Sequence, residues 1–202
     1  MLTAACLGGL LSTQANIVVN PSFESHPAFT KDGNTWDYFA AGAVTGWDPA
    51  GGASVIEIGL GSVYGVTGYD GDAVMELDST ANVTAAQVVT SAPASLKLEF
   101  LYALRKDVLP TSGELRVLWN NSVIATLQPA LQAMTLYSTY VTAVAGNNTL
   151  AFEGWGTSDS YGAVIDAVSL VPEPSTYVAA ALLGIPAVIG FARTTRRRQP
   201  AV

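Results

Sequence analysis

Ser95-Leu-Lys-Leu-Glu-Phe-Leu-Tyr102 and Gly113-Glu-Leu-Arg-Val-Leu-Trp119 are the two stretches of sequence that decide the fold. Apolar and polar residues alternate in both, which is the pattern of a β-strand that buries one face. We therefore predict a strand in each stretch. The side chains expected to face the core are Leu96, Leu98, Phe100 and Tyr102 in the first strand and Leu115, Val117 and Trp119 in the second.

The same two-residue period extends through residues 16–171, where turn residues interrupt it at short intervals. Asn120-Asn121 joins two such runs and favours a tight hairpin, because asparagine tolerates a positive φ. These features predict an all-β domain, a β-sandwich of the jelly-roll type. Further strands are predicted at Ile17–Phe23, Ser54–Gly59, Ala73–Asp78, Val83–Thr90, Ser122–Leu127, Leu136–Val144, Thr149–Gly154 and Gly162–Leu170.

The composition limits the partners of this domain. Hydrophobic residues make up 50% of the 202 residues, which is enough for a sizeable core. Between Asn16 and Val171 there are five lysine or arginine residues against fifteen acidic residues, a net charge of −10. Such a surface repels phosphate backbones, so we predict no binding of nucleic acid. It is compatible with neutral sugars and with divalent cations.

The first fifteen residues have the pattern of a secretory signal peptide. An apolar stretch leads to small residues that end at Ala15, and no basic segment precedes it, so we expect the back half of such a peptide. The sole cysteine, Cys6, lies in this segment. The mature domain is then expected to have no disulfide, cysteine-ligated metal or thiol nucleophile. A lipoprotein modified at Cys6 is the alternative interpretation.

The C-terminal residues 172–198 have three parts: Pro172-Glu-Pro174, an uncharged apolar run from Tyr177 to Ala192, and a tail with four arginines within 193–198. The Pro-Glu-Pro turn ends the preceding domain, because proline cannot continue a strand ladder or enter a helix interior. The apolar run predicts a single transmembrane helix, and the arginines are expected to keep their end cytoplasmic. Residues 16–171 should then be exported.

This order of parts resembles the PEP-CTERM sorting signal of bacterial exported proteins. The resemblance implies that Pro172, Glu173 and Pro174 are recognised by an exosortase-type processing enzyme. It further implies a precursor anchored in the inner membrane, followed by a mature form in the cell envelope or outside the cell. An ordinary tail anchor is the alternative.

A second resemblance covers residues 20–170. Asn20-Pro-Ser-Phe-Glu24 followed by Gly46-Trp47 is similar to the opening of galactose-binding-like jelly rolls, which include several families of carbohydrate-binding modules. Pro21 departs from the family, which usually has glycine there. Later pieces occur in the family's order at Gly71–Asp78, Gln87–Thr90, Leu98–Phe100, Leu150–Phe152 and Gly162–Val168.

The resemblance implies a structural Ca²⁺ where the first and last strands meet. Carried over to this sequence, the carboxylate ligands are Glu24 and Asp166, with backbone carbonyls completing the shell. The chemistry is suitable, because Ca²⁺ takes six to eight oxygen ligands in flexible geometry. The alternative is that both carboxylates only cap strand ends at a solvated edge.

Sugar recognition uses aromatic faces flanked by planar hydrogen-bonding groups. We expect Trp36, Tyr38 and Phe39 in one long loop, Tyr64 and Tyr69 in another, and Trp155 and Tyr161 on either side of a third. Arg105 follows a strand and can bind a hydroxyl pair. Trp47 and Trp119 are expected in the core. The predicted ligand contacts are Trp36, Tyr69, Arg105 and Trp155.

Catalysis is not predicted. The single histidine, His26, is followed by a proline, no nucleophile elbow occurs, and a zinc site has neither clustered histidines nor cysteines. Glu76 and Asp78 alternate onto one strand face, but a glycosidase needs two carboxyls in a deep cleft. We expect these two acids on an exposed strand face or at a cation site.

The sequence therefore predicts a non-catalytic exported protein whose jelly-roll domain binds a glycan, such as the producer's own exopolysaccharide. One alternative is a structural matrix or adhesion protein that packs against other proteins and binds no sugar. The other is a small glycoside hydrolase.

Overall fold

The computed structural model describes residues 15–173. The predicted signal peptide before Ala15, the apolar run 177–192, the arginine tail and Pro174 of the sorting motif lie outside the described residues. Within 15–173, no helix has the length and apolar character needed to cross a membrane.

Eleven strands and one short helix make up the described part of the chain. The strands are β1 (Trp36–Phe39), β2 (Asp48–Ala50), β3 (Ile56–Leu60), β4 (Ala73–Glu76), β5 (Thr84–Ser91), β6 (Ala94–Leu104), β7 (Leu115–Trp119), β8 (Ser122–Leu127), β9 (Thr135–Ala143), β10 (Gly146–Gly154) and β11 (Ala163–Pro172). The helix, α1 (Gly61–Tyr64), is a single turn after β3.

The strands form two sheets. One sheet has six strands in the order β1-β3-β4-β11-β6-β9, and the other has five in the order β2-β5-β10-β7-β8. Every pair of neighbouring strands is antiparallel. The prediction of an all-β sandwich is therefore confirmed.

The core lies between the sheets and contains the residues that the alternation predicts. Leu96, Leu98 and Phe100 of β6 are fully buried, and the Phe100 ring packs edge-on against the ring of Phe152, with centroids 4.8 Å apart. Trp47 is fully buried beside Phe152. Each of these side chains contributes about 2 kcal/mol by leaving water. The predicted burial of Trp119 is also confirmed.

The predicted strand at Ile17–Phe23 is wrong. Asn20 and Phe23 have φ values of 52° and 60°, so the chain turns here instead of extending. Two backbone hydrogen bonds still tie this segment to β11, from the Ile17 amide to Leu170 and from the Val168 amide to Pro21.

The predicted loop around Trp36 is also wrong, because Trp36–Phe39 forms β1 and pairs with β3. The hairpin at Asn120-Asn121 is confirmed, with both residues at positive φ, between β7 and β8.

A second, smaller apolar cluster covers the outward face of the six-stranded sheet. Its buried members are Tyr64, Val66, Val74, Ala103 and Val164. Gly59 permits this layer, because a Cβ at that position would lie 2.6 Å from Cβ of Trp36 and 2.7 Å from the hydroxyl of Tyr64. The helix α1 thus shields part of a sheet face that would otherwise meet solvent.

Candidate functional site

One row of side chains crosses the outward face of the six-stranded sheet. Antiparallel register places Tyr38 of β1 opposite Glu57, Glu57 opposite Glu76, and Glu76 opposite Val164. Alternate residues of these strands, such as Ile58 of β3, point into the core instead. Two carboxyl groups therefore face each other at neighbouring positions on one face.

Arg105 lies beside this acid pair, immediately after the end of β6. Its Nη1 atom is 4.0 Å from Oε1 of Glu57 and 3.9 Å from Oε1 of Glu76. The guanidinium lies between two aromatic rings, 4.9 Å from the centroid of Tyr64 and 4.4 Å from that of Tyr161. These contacts hold the cation in place and shield it from water.

Burial keeps the two carboxyl groups from ionising at their usual pH. Burial raises the pKa of Glu57 from 4.5 to about 7, against the opposing effects of the Tyr64 hydroxyl and Arg105. Burial and the neighbouring Glu57 raise the pKa of Glu76 to about 8. One guanidinium is too little positive charge to ionise two buried carboxyls at neutral pH.

The expectation that Glu76 and Asp78 lie on an exposed strand face is wrong, because both are fully buried. Glu76 accepts hydrogen bonds from the amides of Asp78, at 2.8 Å, and of Gly162. Both of its oxygens are therefore occupied by the backbone, which explains how this position tolerates a buried acid.

Asp78 holds the loop 158–162. Its Oδ2 atom accepts from the amides of Asp159 at 2.7 Å, Ser160 at 2.8 Å and Tyr161 at 3.3 Å, and its Oδ1 accepts from the Ser158 hydroxyl at 3.1 Å. Charge-assisted bonds of this kind are stronger than those between neutral groups. Asp78 and Glu76 thus fix the loop that carries Tyr161 over Arg105.

Two cavities adjoin at Arg105. The first, here called the Glu57 cavity, has a volume of about 180 Å³ and is lined by Trp36, Tyr38, Glu57, Arg105, Ser160 and Tyr161. The second, the Lys106 cavity, has a volume of about 460 Å³ and is lined by Asp32, Trp36, Val63, Arg105, Lys106, Asp107 and Tyr161. The shared lining residues are Trp36, Arg105 and Tyr161.

Aromatic rings form the walls of the Glu57 cavity. Trp36 and Tyr38 are two residues apart on β1 and share a face, with ring centroids 5.2 Å apart in an edge-on arrangement. Tyr161 is 43% exposed and lies across the cavity's Arg105 side. Rings that remain partly open can stack on the apolar face of a ligand.

The four predicted ligand contacts do not lie together. Trp36 and Arg105 line both cavities described above. Tyr69 lines a separate cavity of about 530 Å³ formed by residues of the segment 62–69. Trp155 is 46% exposed and stacks on Arg116 of the five-stranded sheet.

Sequence reasoning missed Glu57 as a site residue. The available signal was an acid between Ile56 and Ile58, which the two-residue period places on the outward face. The two-residue period alone predicts that Glu57 is exposed to solvent, because it does not reveal that Tyr64 of α1 covers the same face.

Glu24 and Asp166, the predicted calcium ligands, converge on the loop 70–73. Glu24 Oε1 accepts from the amides of Asp72 at 2.7 Å and Ala73 at 2.8 Å, and Asp166 Oδ2 accepts from the amide of Asp70 at 2.6 Å. Gly71 lets Glu24 approach, because a Cβ there would overlap the Glu24 carboxylate.

One oxygen of Asp166 lacks a partner that a cation could provide. Asp166 Oδ1 is buried without a hydrogen-bond partner, and burial, with Asp70 and Glu24 nearby, raises the pKa of Asp166 to about 7. Within residues 15–173 no cluster of three or more His, Cys, Asp or Glu side chains has metal-holding geometry. A cation beside Asp166 would satisfy the orphaned oxygen.

No protein-family model matches the chain. A curated relative, the multifunctional-autoprocessing repeats-in-toxin of Vibrio vulnificus, is 32% identical over 118 residues, which is 57% of this chain and 2% of the toxin. The Vibrio cholerae toxin of the same name matches equally, over 3% of its length. The chain thus spans only about 2–3% of the length of the curated relatives that it matches.

Two solved structures show the likeness of the fold. TmCBM61, solved in complex with β-1,4-galactotriose, has a TM-score of 0.50 and 12% identity over 79% of this chain and 99% of that chain. The arabinose-bound MgGH51 α-L-arabinofuranosidase has a TM-score of 0.52 and 12% identity over 79% of this chain and 26% of that chain. The described residues therefore share the β-sandwich architecture of a carbohydrate-binding module.

Proposed function

We propose that this protein binds a glycan without cleaving it, and that the Glu57 cavity is the binding site. The observation that carries the proposal is the meeting of three partly open aromatic rings, one guanidinium and one carboxyl in a cavity of about 180 Å³. Aromatic faces stack on the apolar side of a sugar ring, and planar polar groups form hydrogen bonds with its hydroxyls.

Arg105 and Glu57 provide complementary hydrogen-bonding groups. A guanidinium has five N–H donors, and among the described residues Arg105 donates one hydrogen bond, to the Ser160 carbonyl at 3.3 Å. Glu57 Oε1 accepts from Tyr64, whereas no described residue donates to Oε2. The cavity can thus donate to one hydroxyl of a sugar and accept from its neighbour.

The acid pair favours binding over hydrolysis. A glycosidase places two carboxyl groups on either side of the bond that it cleaves. Glu57 lines the cavity, but Glu76 is buried beneath it with both oxygens held by backbone amides. One accessible carboxyl cannot provide both the acid and the base or nucleophile.

A comparison of matched variants tests the site. Trp36→Ala and Arg105→Ala should weaken glycan binding at least tenfold, because each removes a wall or a donor of the cavity. Trp155→Ala and Arg116→Ala are matched controls, since this Trp–Arg pair stacks elsewhere and should leave affinity unchanged. Glycan-array screening followed by calorimetry measures the effect. Retention on no polysaccharide would refute the function.

Calcium is a separate part of the proposal, with Glu24 and Asp166 as its carboxylate ligands. The orphaned Asp166 Oδ1 supports it. The ion would stabilise the junction between the segment 17–24 and β11 and take no part in sugar binding directly.

Export and sorting complete the proposal. The Pro172-Glu-Pro174 motif, the apolar run 177–192 and the arginine tail support an inner-membrane precursor that an exosortase processes. We expect mass spectrometry of the native protein to find a C-terminus near residue 172. A reporter fused after Ser169 that is active only in the cytosol would contradict export.

A further inference from the structure

The cavities at Arg105 contain more acidic than basic groups. Glu57 and Glu76 share the single guanidinium of Arg105, and Asp78 lies behind them. The Lys106 cavity is lined by two acids, Asp32 and Asp107, together with Lys106 and the same Arg105. An arginine in a sugar site would ordinarily suggest an acidic ligand, but here two carboxyl groups already lie within 4.0 Å of its guanidinium and become negative as pH rises.

We propose that the site takes uncharged sugar residues and rejects those that carry a carboxylate. The inference rests on the proposed function and specifies the substrate class of the same site. A uronic acid placed at Arg105 would be the third carboxyl group at one guanidinium. A neutral sugar with adjacent hydroxyls uses Arg105 as donor and Glu57 as acceptor, and neither interaction adds charge.

Distance and burial make the discrimination effective. Arg105 has an 18% exposed side chain and lies within 4.0 Å of both carboxyl groups, so solvent screens these charges poorly. The surrounding domain adds to the repulsion, because residues 16–171 carry a net charge of −10. Juxtaposed like charges are the usual means by which a site rejects a wrong partner.

The discrimination against acidic sugars should become stronger as pH rises. The groups around Glu57 are Tyr38 from β1, Tyr64 from α1, Glu76 from β4, Arg105 after β6, Tyr161 from the loop 158–162, Asp78, and Lys31. Lys31 lies over the rings of Trp36 and Tyr38, and its ammonium is 3.9 Å from Asp37. Since Glu57 and Glu76 have raised pKa values, the pair gains negative charge between pH 5 and pH 9. Binding of an acidic sugar should weaken over this interval more than that of a neutral one.

The experiment compares neutral and acidic members of the same sugar series. Galacto-, manno- and gluco-oligosaccharides are tested against galacturono-, mannurono- and glucurono-oligosaccharides of equal length, using the full chain at pH 6 and pH 8.5. We expect neutral members to bind at least tenfold more tightly at pH 8.5, with a smaller ratio at pH 6 and at high salt.

Two variants test whether the charge of Glu57 causes the preference for neutral sugars. Glu57→Gln keeps the shape of the side chain and removes its charge, so it should reduce the ratio several-fold. Glu99→Gln on β6, which lies outside both cavities, should not change it. Equal or tighter binding of acidic members by the unmodified chain would overturn the inference and leave glycan binding intact. Binding of neither series would overturn the proposed function itself.

Discussion

Glu57 lies between Ile56 and Ile58, and its two neighbours point into the core while it faces the cavity. Glu57 is only 3% exposed, and among the described residues its carboxyl accepts a single hydrogen bond, from the Tyr64 hydroxyl to Oε1. A buried acid without full compensation costs stability when it ionises. The packing of the fold therefore does not explain why an acid is present at this position.

The raised pKa values predict how stability depends on pH. In the unfolded chain Glu57 and Glu76 titrate near 4.5, whereas in the folded chain they retain protons to about pH 7 and 8. Their contribution is complete below pH 4.5 and is lost as pH rises through 8, because the folded state binds more protons over this interval. We expect the Tm to be several degrees lower at pH 8.5 than at pH 5, measured by calorimetry in EDTA.

Glu57→Gln tests the origin of this pH dependence. The substitution removes one of the two titrations, so the fall in Tm between pH 5 and pH 8.5 should become smaller. Glu99→Gln is the control, because the pKa of Glu99 is lowered by its contact with Lys97 and its titration lies below this interval. A Tm that rises between pH 5 and pH 8.5 would contradict the assignment.

At the scale of elements, the loop 158–162 is held by two acids at the end of β4. Asp78→Asn weakens the acceptor for three consecutive amides, so these amides should exchange hydrogen at least tenfold faster, measured by hydrogen-exchange mass spectrometry. Asp48→Asn is a matched control, because Asp48 accepts from Gly42 far along the chain from this loop.

The effect of Asp78 on affinity should pass through Tyr161. Asp78→Asn should weaken glycan binding several-fold in the unmodified chain and not at all in a Tyr161→Ala background. A further loss in the double variant would show that Asp78 acts on the ligand by another route.

Long, regularly alternating strands could be predicted from the sequence, whereas two of the short strands could not. β6 was found near its observed bounds because it has a clear two-residue period, and β8 was found because Asn120-Asn121 marks the turn before it. β1 has four residues and β2 three, which is too short for a period to appear. Their positions depend on pairing with β3 and β5, and pairing is a property of the assembled sheets.

The candidate site contains two of the four predicted ligand contacts for a similar reason. Trp36 and Arg105 were identified by residue type, and the fold brings them together across the six-stranded sheet. Tyr69 and Trp155 have the same chemical suitability, but their strands and loops place them elsewhere. Residue type indicates what a side chain can bind, whereas the strand order decides which side chains meet.

At the scale of the molecule, a cation at Glu24 and Asp166 would connect the start of the sandwich to its last strand. Calcium at about one hundred times its Kd should stabilise the fold by about 2.7 kcal/mol, which raises Tm by roughly 5–10 °C in a domain of this size. Glu24→Ala should abolish the shift, whereas Asp32→Ala should retain it. An equal Tm in calcium and in EGTA would refute the ion site.

The strand β4 connects the proposed cation site to the Glu57 cavity. Its first residue, Ala73, donates its amide to Glu24, and its last residue, Glu76, lies beneath the Glu57 cavity. Four residues of extended chain span about 10 Å, so this one short strand connects the two sites. Occupancy of the proposed cation site and affinity at the proposed glycan site should therefore be thermodynamically linked, so that removal of calcium would weaken glycan binding.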